Sequence, residues 1–156
     1  MTPTPRDDLL TVLASVPEGF ADLIGGLSAE QLIYRHGPAF PTPAELVAHL
    51  GASGIVLDSV LRQIGLEGNR EVDARAVLEP ELGLAGDKPG TELLADFGRV
   101  RRRTIDFLRG LPATAWTDPI HDACRGEITV GDLCELASTH EIGHLSQLRN
   151  LIAILP

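Results

Sequence analysis

One lysine, two cysteines, one Trp, one Tyr and four Phe are all that 156 residues contain of these types. The two cysteines, Cys124 and Cys134, stand ten apart and fit no zinc-knuckle or redox spacing. A count that low excludes a disulfide scaffold and points to a reducing cytoplasm. With aromatics at 4%, Leu, Ile, Val and Ala must fill the core. The opening Met-Thr-Pro-Thr-Pro-Arg-Asp-Asp lacks the apolar run of a signal peptide, and no stretch reads as apolar for long enough to cross a membrane. Surplus positive charge is missing too. A formal net charge of −9 repels a phosphate backbone, which argues against nucleic-acid partners. Strand-like alternation of useful length is also absent.

What is present suits one domain over residues 1–156. Hydrophobic residues make up 44% and charged residues 22%, an ordinary globular balance. Four long segments carry apolar residues every three or four positions, the period of an amphipathic helix. The first spans about Asp7 to Leu27, with Pro17 and Gly19 marking a kink or break. A turn of helix capped by Ser28 and a breaker-rich loop over 34–41 follow. The second starts at Thr42, with Pro43 a good first helical residue and Glu45 completing a capping box with Thr42, and runs to about Gly65. Gly51 and Gly54 within it allow close helix approach. The third runs from Thr91 to about Arg109, and the last from Thr129 to about Ile154. A short helix is expected near Glu71–Leu78, inside a long link over 65–90. These signals predict an all-α four-helix bundle with a crossover connection. The short links at 28–42 and 110–128 suit neighbouring helices, and the long one suits the crossover.

Three of the five histidines fall on apolar stripes. His140 and His144 are four apart, so their rings lie one turn apart on the same inward face. Each ring has a donor and an acceptor to satisfy, and an unpaired buried polar group costs roughly 1–3 kcal/mol. A divalent metal answers this by taking one nitrogen from each ring. His49, between Leu46 and Ser53 on the second helix, is the natural third ligand. One inward histidine alone is more often a hydrogen-bonded core residue; three together point to metal. His36 and His121 fall in loops and read as surface residues. Three neutral imidazoles would leave a zinc or nickel ion its full charge and an open position. Gln147, one turn beyond His144, and Ser53, one turn beyond His49, are candidates for supporting hydrogen bonds or substrate contacts. Cys134 reads as a small buried hydrophobe, and Arg101-Arg102-Arg103 as a solvated helix face.

His140-Glu141-Ile142-Gly143-His144 also spells the H-E-x-x-H pattern of zinc hydrolases, in which the glutamate serves as general base. That makes Glu141 a candidate catalytic residue. The context is poor for a protease: no His or Glu follows His144, and no sheet is foreseen to hold a substrate.

Two segments, Thr42-Pro-Ala-Glu-Leu-Val-Ala-His-Leu and His140-Glu-Ile-Gly-His-Leu-Ser-Gln-Leu, together with the turn Leu27-Ser-Ala-Glu-Gln-Leu, resemble the DinB-like superfamily of four-helix-bundle metalloenzymes. The resemblance covers nearly the whole chain. It implies a zinc or nickel ion on His49, His140 and His144, a crossover bundle and a homodimer. Some members of that family transfer a low-molecular-weight thiol such as mycothiol or bacillithiol to electrophiles. The expected function is therefore a metal-dependent enzyme acting on small molecules, with thiol S-transfer in detoxification as its sharper form. The alternatives are a stress-related metal-binding or scaffold bundle without catalysis and an H-E-x-x-H metallohydrolase.

Overall fold

Four helix starts are fixed by the same local device. The hydroxyls of Thr4, Ser28, Thr42 and Thr129 each accept from the amide three residues on. The side chains of Asp7, Gln31, Glu45 and Asp132 bond back to the capping residue's own amide. The computed structural model describes residues 2, 4–80 and 88–156. Its elements are α1 (Pro5–Ile24), α2 (Ala29–Leu32), α3 (Pro43–Glu67), β1 (Glu71–Val72), α4 (Ala74–Leu78), α5 (Gly90–Gly110), α6 (Ala113–Thr117), β2 (Ile120–Asp122), β3 (Gly126–Ile128) and α7 (Val130–Ala153). Residues 81–87, part of the expected 65–90 link, lie outside the described residues.

The four long helices, α1, α3, α5 and α7, form the bundle. α3 packs on α5 and α7, and α1 packs on the same two, while the backbones of α1 and α3, and those of α5 and α7, stay apart. Each of these pairs therefore lies on a diagonal. The crossovers fall on the short links, from α1 to α3 and from α5 to α7, and the long link joins neighbours. This reverses the expectation drawn from link length. A bundle diagonal is only about 14 Å when neighbouring axes are 8–10 Å apart, and an extended chain gains about 3.3 Å per residue. Even the short links have ample reach.

α3 runs to Glu67, past the expected end at Gly65, and stops at Gly68, whose φ of 70° closes the helix in the left-handed region. Gly65 serves contact instead: a Cβ there would come within 2.7 Å of Phe107 Cζ on α5. Gly54 faces Phe97 in the same way, whereas Gly51 meets nothing. Among the described residues, α3 alone is long and apolar enough to cross a membrane, but more than half of its apolar stretch is buried inside the bundle.

α1 is unbroken despite Pro17. Proline has no N–H, so the carbonyl of Leu13 loses its helical donor. Arg101 Nη1 takes that place, donating to Leu13 O at 2.9 Å. Arg101 is 2% exposed and pairs with Glu141, itself 1% exposed. Of the expected solvated arginine run, only Arg102 and Arg103 face water. The Arg101–Glu141 pair is among several buried polar groups, Ser53, Asp58, Thr104 and Ser138 included, while two apolar clusters make up the core among the described residues. Cys134 is fully buried in one of them, and burial pushes its thiol up to about 12.

A small sheet was not foreseen. β2 pairs with β1 in parallel and with β3 antiparallel. Strands of two and three residues are too short for a period-two pattern to register. Asp122 ties this sheet to α4: its carboxylate, 0% exposed, accepts from the amides of Ala74 (2.7 Å), Arg125 (2.8 Å) and Cys124 (3.2 Å). Burial raises the Asp122 carboxyl, but the three N–H donors and Arg125 outweigh it and hold it below its ordinary value. The stability this contributes is present above the unfolded-state value near 3.8 and is lost as pH falls through the lower folded-state value. Asp122→Ala is expected to cost about 2–4 kcal/mol, because buried donors lose their acceptor. Urea unfolding at pH 7 measures this, and an unchanged midpoint would contradict it.

Candidate metal centre

Packing of α7 on α3 brings the histidines together. His49 lies near the start of α3, and His140 and His144 one turn apart on α7. His140 Nε2 is 3.2 Å from His49 Nε2 and 3.0 Å from His144 Nε2. The three rings stand edge to face, with centroids 4.5–5.2 Å apart. A fourth group joins them. Glu79, just past the end of α4, places Oε1 3.4 Å from His140 Nε2 and Oε2 3.8 Å from His49 Nε2.

Hydrogen bonding alone does not satisfy this arrangement. His144 Nδ1 donates to Gln147 Oε1 at 2.8 Å, which leaves its Nε2 as a lone pair. His140 Nδ1 is buried with no partner among the described residues. All polar contact of that ring therefore goes through Nε2, which faces two ring nitrogens and a carboxylate. One ring proton can serve only one of them. A divalent cation serves all four groups. Four ligands at 2.0–2.1 Å in a tetrahedral set stand about 3.3 Å from one another; four of the six pairs, at 3.0, 3.2, 3.4 and 3.8 Å, bracket that spacing, and the whole set lies within 4.8 Å. The donor set fits a zinc-like ion.

Burial first, and the neighbouring His144 second, lower the pKa of both His49 and His140, with Glu79 opposing. Both rings are therefore neutral at pH 7, with lone pairs available. Depressed histidine pKa values mean that the unfolded chain binds more protons than the folded one below about pH 6.5, so acid destabilises the metal-free protein there. Bound metal must also compete with those protons, so its affinity is expected to fall over the same interval. Chelator competition between pH 7.5 and 5.5 tests this, and a flat profile would contradict it.

The remaining candidates from the sequence fall in different places. Gln147 fixes the proton of His144 on Nδ1, and Gln147→Leu is expected to weaken metal binding about 10–100-fold, measured by the same competition. Ser53 makes no side-chain hydrogen bond to the histidines among the described residues; its hydroxyl donates to Val77 O at 2.9 Å and holds α4 against α3. Glu141 is engaged in a buried ion pair with Arg101 and is not among the groups gathered around the histidines. It stands next to His140 in sequence, and on a helix adjacent residues face about 100° apart. His36 and His121 are exposed and outside the cluster. Glu79 was missed because it lies in an aperiodic link, where only the tertiary fold decides what an acidic side chain faces.

A groove of about 540 Å³ opens beside His140. Leu78, Ile128 and Leu136 supply its apolar surface, with Arg125 and Glu135 also lining it. Another cavity, of about 320 Å³ and lined by residues such as Pro17 and Arg101, does not touch the histidines.

A family profile described as the DinB superfamily matches residues 13–148. No curated protein matches the sequence. Among solved structures, YfiT from Bacillus subtilis, described as a probable metal-dependent hydrolase with an unusual four-helix bundle topology, is similar to this chain. The two share 18% identity at a TM-score of 0.77, over 97% of this chain and 91% of YfiT.

Proposed function

This chain belongs to the DinB superfamily, and we propose that it is a metal-dependent enzyme acting on small molecules. The observation that carries this reading is the convergence of His49 Nε2 and His144 Nε2 on His140 Nε2, at 3.2 and 3.0 Å, with the ring proton of His144 fixed on the opposite nitrogen. His49, His140 and His144 would hold the ion. When bound, it supplies positive charge that polarises a substrate oxygen and favours the deprotonated form of a water or thiol.

The chain's own residues do the rest. Gln147 orients His144, and the edge-to-face packing of the three rings limits their rotation. Leu78, Ile128 and Leu136 would bind the apolar body of a substrate and exclude water beside His140. Glu79 stands close enough to the histidines to accept a proton from an attacking nucleophile. That carboxylate favours hydrolysis, the chemistry attributed to YfiT. The second reading is thiol S-transfer in detoxification, favoured by the apolar groove, which suits an electrophile. Either reaction needs access to the ion, and the groove beside His140 favours both over a non-catalytic scaffold.

The test is to load the protein with zinc or nickel and assay it on two panels: esters and amides alone, and electrophiles with cellular thiols. A metal-dependent rate that disappears in His140→Ala is expected in one panel. No rate above background in either would overturn the enzyme reading.

A further inference from the structure

The carboxylate of the H-E-x-x-H motif is taken up by Arg101, yet a carboxylate does reach the histidines from elsewhere. The geometry points to Glu79 as a detachable fourth metal ligand, one that closes the site in the resting protein and yields its position to substrate. This inference rests on the three-histidine reading above.

Two observations support direct ligation. All four donor atoms lie within 4.8 Å of one another, and the Glu79 oxygens stand 3.4 and 3.8 Å from two different Nε2 atoms, spacings that place a shared ion between them. The backbone carrying Glu79 is also held in place. Asp122 accepts from the first amide of α4, Ser53 Oγ donates to Val77 O, and the Glu79 amide donates to Arg75 O at 2.8 Å. A position anchored at three points delivers a carboxylate to a fixed place.

Detachment follows from the difference between this ligand and the other three. The histidines are mostly buried on long packed helices, whereas the Glu79 side chain is 62% exposed. Rotation about its own side-chain bonds is enough to leave the site, with no movement of α4. His140, which Glu79 approaches at 3.4 Å, also lines the groove with Leu78, so the groove and the carboxylate reach the same ring. A molecule that replaces a carboxylate must bring its own donor. The substrate class is thus an apolar small molecule carrying a metal-seeking oxygen or sulfur atom. Highly anionic molecules are disfavoured, because Asp132 and Glu135 outnumber Arg125 along the approach.

Cobalt(II) is the probe, because its visible absorption reports the number and kind of its ligands. Wild type, Glu79→Gln and Glu79→Ala are loaded with cobalt and titrated with azide, and cobalt affinity is measured by chelator competition. Expected results are a changed visible spectrum in both variants, azide binding at least tenfold tighter than in wild type, and cobalt affinity about tenfold weaker. If the carboxylate merely stood nearby, its removal would lower affinity through the lost charge but leave the spectrum unchanged, and that result would overturn the inference. Identical spectra and identical azide affinity in all three proteins would overturn the inference. A wild type that takes up no cobalt would instead overturn the histidine centre itself.

Discussion

Replacing His140 with alanine is expected to remove nearly all divalent-metal binding while leaving the bundle helical. His140 is the middle of the cluster: its Nε2 lies within 3.4 Å of His49, His144 and Glu79 donors alike. The loss should exceed the roughly 10–100-fold that removal of a supporting hydrogen-bond partner costs, and so exceed the effect of Gln147→Leu. Folding should not suffer. The ring leaves Nδ1 buried without a partner among the described residues, and alanine removes that unmet polar group. His144→Ala should behave in the same way. His49→Ala tests independently whether α3 supplies a ligand. His36→Ala and His121→Ala, exposed and outside the cluster, should retain wild-type metal content. Elemental analysis and far-ultraviolet circular dichroism on the same preparations give both readouts. Stoichiometric metal in His140→Ala would defeat the site.

Arg101→Met should produce the largest loss of stability. It strands the Glu141 carboxylate in the interior and leaves the Leu13 carbonyl, already deprived of a helical donor by Pro17, without Arg101. Breaking a buried pair by removing one partner costs about 3–5 kcal/mol. For a domain of this size each kcal/mol lowers Tm by roughly 2–4 °C, so a fall of about 10 °C or more is expected. Removing both charges, as in Arg101→Met with Glu141→Leu, should recover much of the loss, because a pair replaced by apolar side chains no longer leaves a lone charge buried. Glu141→Gln separates structure from chemistry: it should lower Tm yet leave metal affinity unchanged. If Glu141→Gln instead keeps its Tm and loses metal, Glu141 belongs to the metal centre and the ion pair is incidental.

Much of this protein is determined by the sequence alone. Ser or Thr followed three residues later by Asp, Glu or Gln sets four helix starts, because the bonds of a capping box are local. Apolar spacing identifies the long helices for the same reason: a helix face is defined by its own residues. The i, i+4 pair His140 and His144 is local too, and the apolar stripe around His49 marks it as inward. Tertiary structure decided what depends on partners far apart in sequence. Arg101 looks like part of a solvated run until α1 offers it an orphaned carbonyl and α7 a carboxylate, 88 and 40 residues away. Glu141 sits in a catalytic motif but belongs to that ion pair. Glu79, in a link without periodicity, reaches the histidines only because Asp122 and Ser53 hold α4 in place. The diagonal order of the helices is likewise set by which faces pack, and link length, being generous relative to the width of a bundle, does not constrain it.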